Sequence, residues 1–177
     1  MPSKASIAGA ALAPVDSDIS LSEFAAFTGP SSYPPLMLAF HTKQARTAGF
    51  NGWAAVFGFH WFVHRKLYRY VLPAAFFDFG LTVLVIVALK FIGRPLQTDE
   101  LAAVATLGLV LGRVLLGFLA NIVLTWRARA VVRHVDALNL DNDRHLSVIA
   151  SLGGVSFGAV VALYVAIGVL RILLSAL

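Results

Sequence analysis

Apolar and polar positions fall into long blocks along this chain, and three apolar blocks, at residues 70–92, 101–125 and 149–174, are long enough to cross a bilayer. At about 1.5 Å of rise per residue, roughly 20 helical residues span the ~30 Å of a hydrocarbon core, so each block predicts one transmembrane helix. Helices satisfy their own backbone hydrogen bonds where no water can, and the pattern therefore predicts an all-α membrane protein with three transmembrane helices. Gly93, Arg94 and Pro95 break the chain between the first two blocks, and the short connection makes them antiparallel neighbours.

The blocks are preceded by two segments of different character. Residues 1–40 carry Ser, Pro, Gly and Asp at loop-like density, with Pro30, Pro34 and Pro35, and read as a polar N-terminal tail. The patch at residues 7–13 after Lys4 is too short and too weakly apolar for a secretory signal, so a retained N-terminus is expected. Residues 50–69 are aromatic and apolar through Phe62, then basic at Arg65, Lys66 and Arg69. Trp53, Phe57 and Trp61 recur every fourth residue and would share one helical face. The run is too short to span, and rings with a polar edge favour the headgroup level. An interfacial helix is predicted, with Trp53, Phe57, Trp61, Arg65, Lys66 and Tyr68 as its anchors. The expected organisation is a polar N-terminal segment 1–49, an interfacial helix 50–69 and a transmembrane region 70–177 that includes a cytoplasmic segment 126–148.

Composition agrees with a membrane location: 59% of residues are hydrophobic, 13% are charged and the mean hydropathy is +0.81, whereas soluble domains are about half apolar and a quarter charged. The net charge of +5 does not indicate nucleic acid, because the cations cluster beside apolar spans. Lys43, Arg46, Arg65, Lys66 and Arg69 precede the first span, and Arg127, Arg129, Arg133 and Arg144 separate the second from the third. The positive-inside rule then predicts a cytoplasmic N-terminus and a C-terminus on the opposite side of the membrane. There is no cysteine, which excludes disulfides, thiol nucleophiles and Cys-ligated metals.

Two charges fall inside spans and away from their ends, Asp78 in the first and Arg113 in the second. A lone charge at that depth costs at least about 2.5 kcal/mol. Counted from opposite ends of antiparallel helices, both lie about 12 Å from the same membrane face, so an intramembrane ion pair is expected. Gly108 and Gly112 in the second span, and Gly154 and Gly158 in the third, have the GxxxG spacing that lets helix backbones approach closely. Their expected role is helix packing, within the chain or against another subunit. His60 and His64 are one turn apart, so both imidazoles can face one metal or haem, but without carboxylates at ligand spacing they read as interfacial polar anchors, and His134 and His145 match no metal spacing. Asp141 and Asp143 resemble the start of a calcium loop without its Gly or closing Glu, and read as a solvated turn. No catalytic motif, cofactor or metal site is expected.

The segment containing Phe50, Asn51, Trp53, Ala54, Ala55, Phe57, Trp61, Arg65, Lys66 and Tyr68 resembles a family of small bacterial membrane proteins of unknown function, domain of unknown function 2628. Weaker matches extend to Phe27, Gly29, Pro30 and Tyr33, and to Ala120, Asn121, Gly153 and Gly154. The resemblance implies an aromatic interfacial element followed by a few membrane helices, and no catalytic residues. The expected function is a non-enzymatic accessory, assembly or structural subunit of a larger membrane complex. Its expected partners are membrane lipids and other membrane subunits or further copies of the chain. The alternatives are a small transporter or channel component using Asp78 and Arg113, or a lipid-binding protein using the basic aromatic belt.

Overall fold

The computed structural model describes residues 19–29, 33–93 and 97–175, and among them the chain forms helices and no strand. The readings at Lys4, residues 7–13, Pro30, Arg94 and Pro95 lie outside the described residues.

The segment read as a polar tail contains two helices, α1 (Leu21–Thr28) and α2 (Tyr33–His41). The N-terminus of α1 is fixed by a capping box in which the Glu23 N–H donates to Ser20 Oγ at 3.3 Å and the Ser20 N–H donates to Glu23 Oε2 at 2.5 Å. Phe24, Phe27 and Met37 are buried. Their apolar spacing is hidden in the sequence by the surrounding Ser and Pro.

The aromatic segment is two short helices, α3 (Gly52–Phe57) and α4 (Phe59–His64), not the single interfacial helix expected. Asn51 caps α3, accepting the Ala54 N–H at 3.0 Å. Gly58, at φ +55, ends α3 and turns the chain into α4.

The first span is one helical rod of four parts: a 3₁₀ turn (Tyr68–Tyr70), α5 (Val71–Ala75), a π turn (Phe76–Gly80) and α6 (Leu81–Phe91). The second is α7 (Thr98–Asp136), whose 39 residues extend about 58 Å, nearly twice a hydrocarbon core. Past Thr125, the expected end of the span, the helix continues without a break for about 16 Å. The expected third span, 149–174, is displaced. Ile149 belongs to α8 (Asn142–Leu152) and is buried in the core, and the membrane helix α9 (Phe157–Ser175) begins only after a break at Gly153 and Gly154. The Gly154 N–H donates to the Phe27 carbonyl at 2.7 Å, so the break is held against the end of α1.

The core lies at one end of the molecule. Val131, Val132 and Val135 on the second half of α7 pack with Phe24, Phe27, Met37, Trp61, Phe62, Leu67 and Ile149. The three apolar helical stretches Tyr68–Phe91, Thr98–Asp136 and Asn142–Ser175 are each long and apolar enough to cross a membrane, and 11%, 44% and 0% of their most apolar windows are buried within the chain. Among the described residues, α7 therefore has the largest share of its apolar window buried in the chain.

Candidate functional site

The most constrained place in the chain is where the π turn, α3, α4 and α7 meet. An α-helix cannot open its ladder inside a bilayer without partners for the freed groups. Here the π turn widens by one residue and carries Asp78 inward, with its side chain fully buried. Arg113 Nε lies 2.5 Å from Asp78 Oδ1, and Asp78 Oδ2 accepts the Phe59 N–H at 2.7 Å. Arg113 Nη1 donates to the Val56 carbonyl. One ion pair thus holds the last turn of α3 and the first of α4 onto the two spans.

The glycines beside this pair explain why it closes. A Cβ on Gly58 would stand 2.1 Å from Asp78 Oδ2 and 2.7 Å from the Arg113 guanidinium carbon. A Cβ on Gly112 would stand 1.8 Å from the Phe77 carbonyl oxygen, and one on Gly108 2.4 Å from Thr82 Oγ1. Gly108 and Gly112 therefore let α7 press against the π turn and α6. Gly154 and Gly158 do not act in that way. Gly154 lies in the break before α9 at φ +69, and Gly158 faces open space. Gly153 is the packed residue there, with its missing Cβ 2.2 Å from the Phe27 carbonyl oxygen.

A second polar knot lies one helical stretch along α7 and is uncharged. Asn51 Nδ2 donates to Asn121 Oδ1 at 2.8 Å, and Asn121 Nδ2 donates to the Ala48 carbonyl at 3.0 Å. The Asn51 N–H reaches the Gly117 carbonyl at 2.8 Å. Both side chains are buried. Since buried amides need partners, the two knots fix where the aromatic segment sits along α7.

The expected interfacial anchors divide into two groups. Trp53 and Phe57 are exposed and their rings stack at 5.7 Å, and Tyr68 is exposed. Trp61 is buried. Arg65 donates to the Thr28 carbonyl at 3.0 Å and lies 5.3 Å from the Tyr33 ring centroid, while Lys66 donates to the Ser151 carbonyl at 3.0 Å. Thr28 and Ser151 lie in the last turns of α1 and α8, where orphan carbonyls and the helix dipole favour a cation. These two cations are thus helix-end donors within the chain. Burial lowers the Arg65 pKa below its ordinary value.

His60 and His64 both face α9. His60 stacks on Tyr164 at 5.2 Å and His64 meets Phe157 edge-on at 4.6 Å. With Phe57, Trp61 and Val160 they line an apolar cavity of about 320 Å³. Burial, helped by the Arg65 charge, lowers the His64 pKa. Among the described residues, the side chains that come together at metal-ligand spacing are instead Glu23, Asp136 and His145, with donor atoms within 4.8 Å of one another. His145 Nε2 lies 3.0 Å from Glu23 Oε1 and 3.5 Å from Asp136 Oδ1, clasping α1 to the end of α7 and the start of α8. Burial raises the Glu23 pKa, but hydrogen bonds from the Ser20 backbone and hydroxyl and from His145 outweigh it, leaving the carboxyl below its ordinary 4.5. The three residues come from distant positions, and only the Ser20/Glu23 capping box has a local signature in the sequence.

Three spans and internally satisfied intramembrane polar groups define the chain as an all-α membrane protein. Residues 36–130 match the family model described as protein of unknown function (DUF2628), more than half of the chain, and the protein belongs to that family. The matched stretch contains Asn51, Gly58, Asp78, Gly112, Arg113 and Asn121, so both knots lie within it, whereas Glu23, His145, α8 and α9 lie outside. No curated protein and no solved structure matches the chain.

Proposed function

We propose that this protein is a non-enzymatic accessory, assembly or structural subunit that docks with other membrane proteins through its third span. The observation that carries this reading is the state of α9. No residue of α9 is buried, and it packs against α4 alone to any extent, while α6 and α7 pack on each other. A membrane helix held at one end by His60 and His64 leaves Val161, Val165 and Ile172 exposed for a neighbour. The intramembrane pair supports a structural part: Asp78 and Arg113 are already engaged with each other and with the backbones of α3 and α4.

The proposed setting is a bacterial inner membrane with the N-terminus cytoplasmic and the C-terminus periplasmic. It is supported by the packing of α1 and α8 on the end of α7, which gathers Lys43, Arg46, Arg65, Lys66, Arg127, Arg129 and Arg133 at one end of the molecule. Mild-detergent purification from native membranes followed by native mass spectrometry tests the docking, with a photo-crosslinker at Val161 or Val165. The expected result is a crosslink to another membrane polypeptide. Recovery of a lone monomer with crosslinks to lipid only would overturn it.

A further inference from the structure

Beside the membrane end of the core lies a cavity of about 450 Å³ whose lining includes Lys43, Arg46 and Arg129 and no carboxylate. Trp126, Thr125 and Phe40 complete much of its wall. Lys43 and Arg46 are held there by the turn that ends α2, in which the Lys43 N–H donates to the Phe40 carbonyl at 3.2 Å and the Ala45 N–H to the Ala39 carbonyl at 2.9 Å. The Arg129 Nε is buried and has no hydrogen-bond partner among the described residues. Three cations around one cavity repel each other, and a buried guanidinium N–H without a partner is costly, so the site is complementary to an oxyanion.

The position of the cavity selects the source of that anion. Trp126 is exposed and stands where the apolar stretch of α7 gives way to arginines, the level that tryptophan favours in a membrane. Leu115 and Leu119 are also exposed and share the helical face of Trp126, at i−11 and i−7. They form an apolar track leading from the cavity into the bilayer. A free phosphate would use the cations but not the track.

We infer that this cavity binds the phosphate of an anionic phospholipid, with Arg46, Arg129 and Lys43 on the headgroup and an acyl chain along Leu119 and Leu115. The inference does not depend on docking through α9. To test it, the full chain in nanodiscs of mixed phosphatidylglycerol and phosphatidylcholine is ejected for native mass spectrometry. Preferential retention of one phosphatidylglycerol is expected. Arg46→Gln with Arg129→Gln should weaken that preference about thirtyfold, and Arg144→Gln, an exposed partner of Asp141, should leave it unchanged. Lys43→Gln gives a second reading if the double variant loses its helical circular dichroism. Equal retention of both lipids, or an unchanged preference in folded variants, overturns the assignment. So does displacement of the lipid by millimolar inorganic phosphate, which would mark the cavity as a site for the free ion.

Discussion

The second and third spans carry the same small-residue spacing and use it differently. In α7, Gly108 and Gly112 sit under Thr82 and the Phe77 carbonyl, with no room for a methyl group. At the third span, Gly154 is outside the helix and a Cβ on Gly158 would meet nothing within 4 Å among the described residues. The spacing gives a helix only the capacity for close approach. Whether a neighbour arrives is decided elsewhere, in α7 by the Asp78–Arg113 pair beside Gly112, and among the described residues α9 makes no such ion pair.

This contrast is sharpest under substitution. Gly112→Leu should have the largest effect, since its Cβ collides with backbone, which moves less readily than a side chain; a loss of about 3 kcal/mol or more and failure to accumulate in membranes are expected. Asp78→Asn comes next. Leaving the Arg113 charge without its partner in a water-poor site should cost about 3 kcal/mol, read as a lower melting temperature in detergent, and replacing both charges by Leu and Met should recover part of that loss. A normal melting curve for Asp78→Asn would refute the clamp. Asn121→Leu removes partners from Asn51 and Ala48, and should cost about 1–3 kcal/mol while leaving the ion pair intact.

Smaller effects belong to the core end and to α9. Because the folded pKa of Glu23 is depressed below 4.5, its stabilisation is fully present above that value and is lost as pH falls through the lower folded value. A pH titration of the melting temperature should show a decline on the acid side, reduced in Glu23→Gln. Gly158→Leu should leave the melting temperature of the purified chain unchanged, since its Cβ position is open; under the proposed function it would still weaken association in membranes.

The sequence revealed the elements whose physics is local or fixed by the bilayer. The three apolar blocks and their helical state follow from hydropathy and spacing, and the family segment from its resemblance to a known motif. The convergence of Asp78 and Arg113 follows from counting depth on antiparallel helices. What escaped was long-range or hidden by composition. The buried faces of α1 and α2 are two or three apolar residues each among Ser and Pro, below any periodic signal. The continuity of α7 past Thr125 was masked because arginines there signal a membrane boundary, although a helix can cross that boundary unbroken. Arg65 and Lys66 read as lipid anchors because nothing local reveals that the ends of α1 and α8 lie against them. Asn121 is an unremarkable polar residue in a span until the chain turn at Ala48 and Asn51 is placed beside it.

The separation of Asp78 from Arg113 along the chain bears on how the protein enters the bilayer. During synthesis the first span emerges from the ribosome with its acidic residue before the arginine has been made. A segment carrying an uncompensated carboxylate partitions poorly into lipid by itself. Release from the translocon is therefore favoured for the hairpin as one unit, after its second arm arrives, and membrane insertion of the first arm is tied to translation of the next.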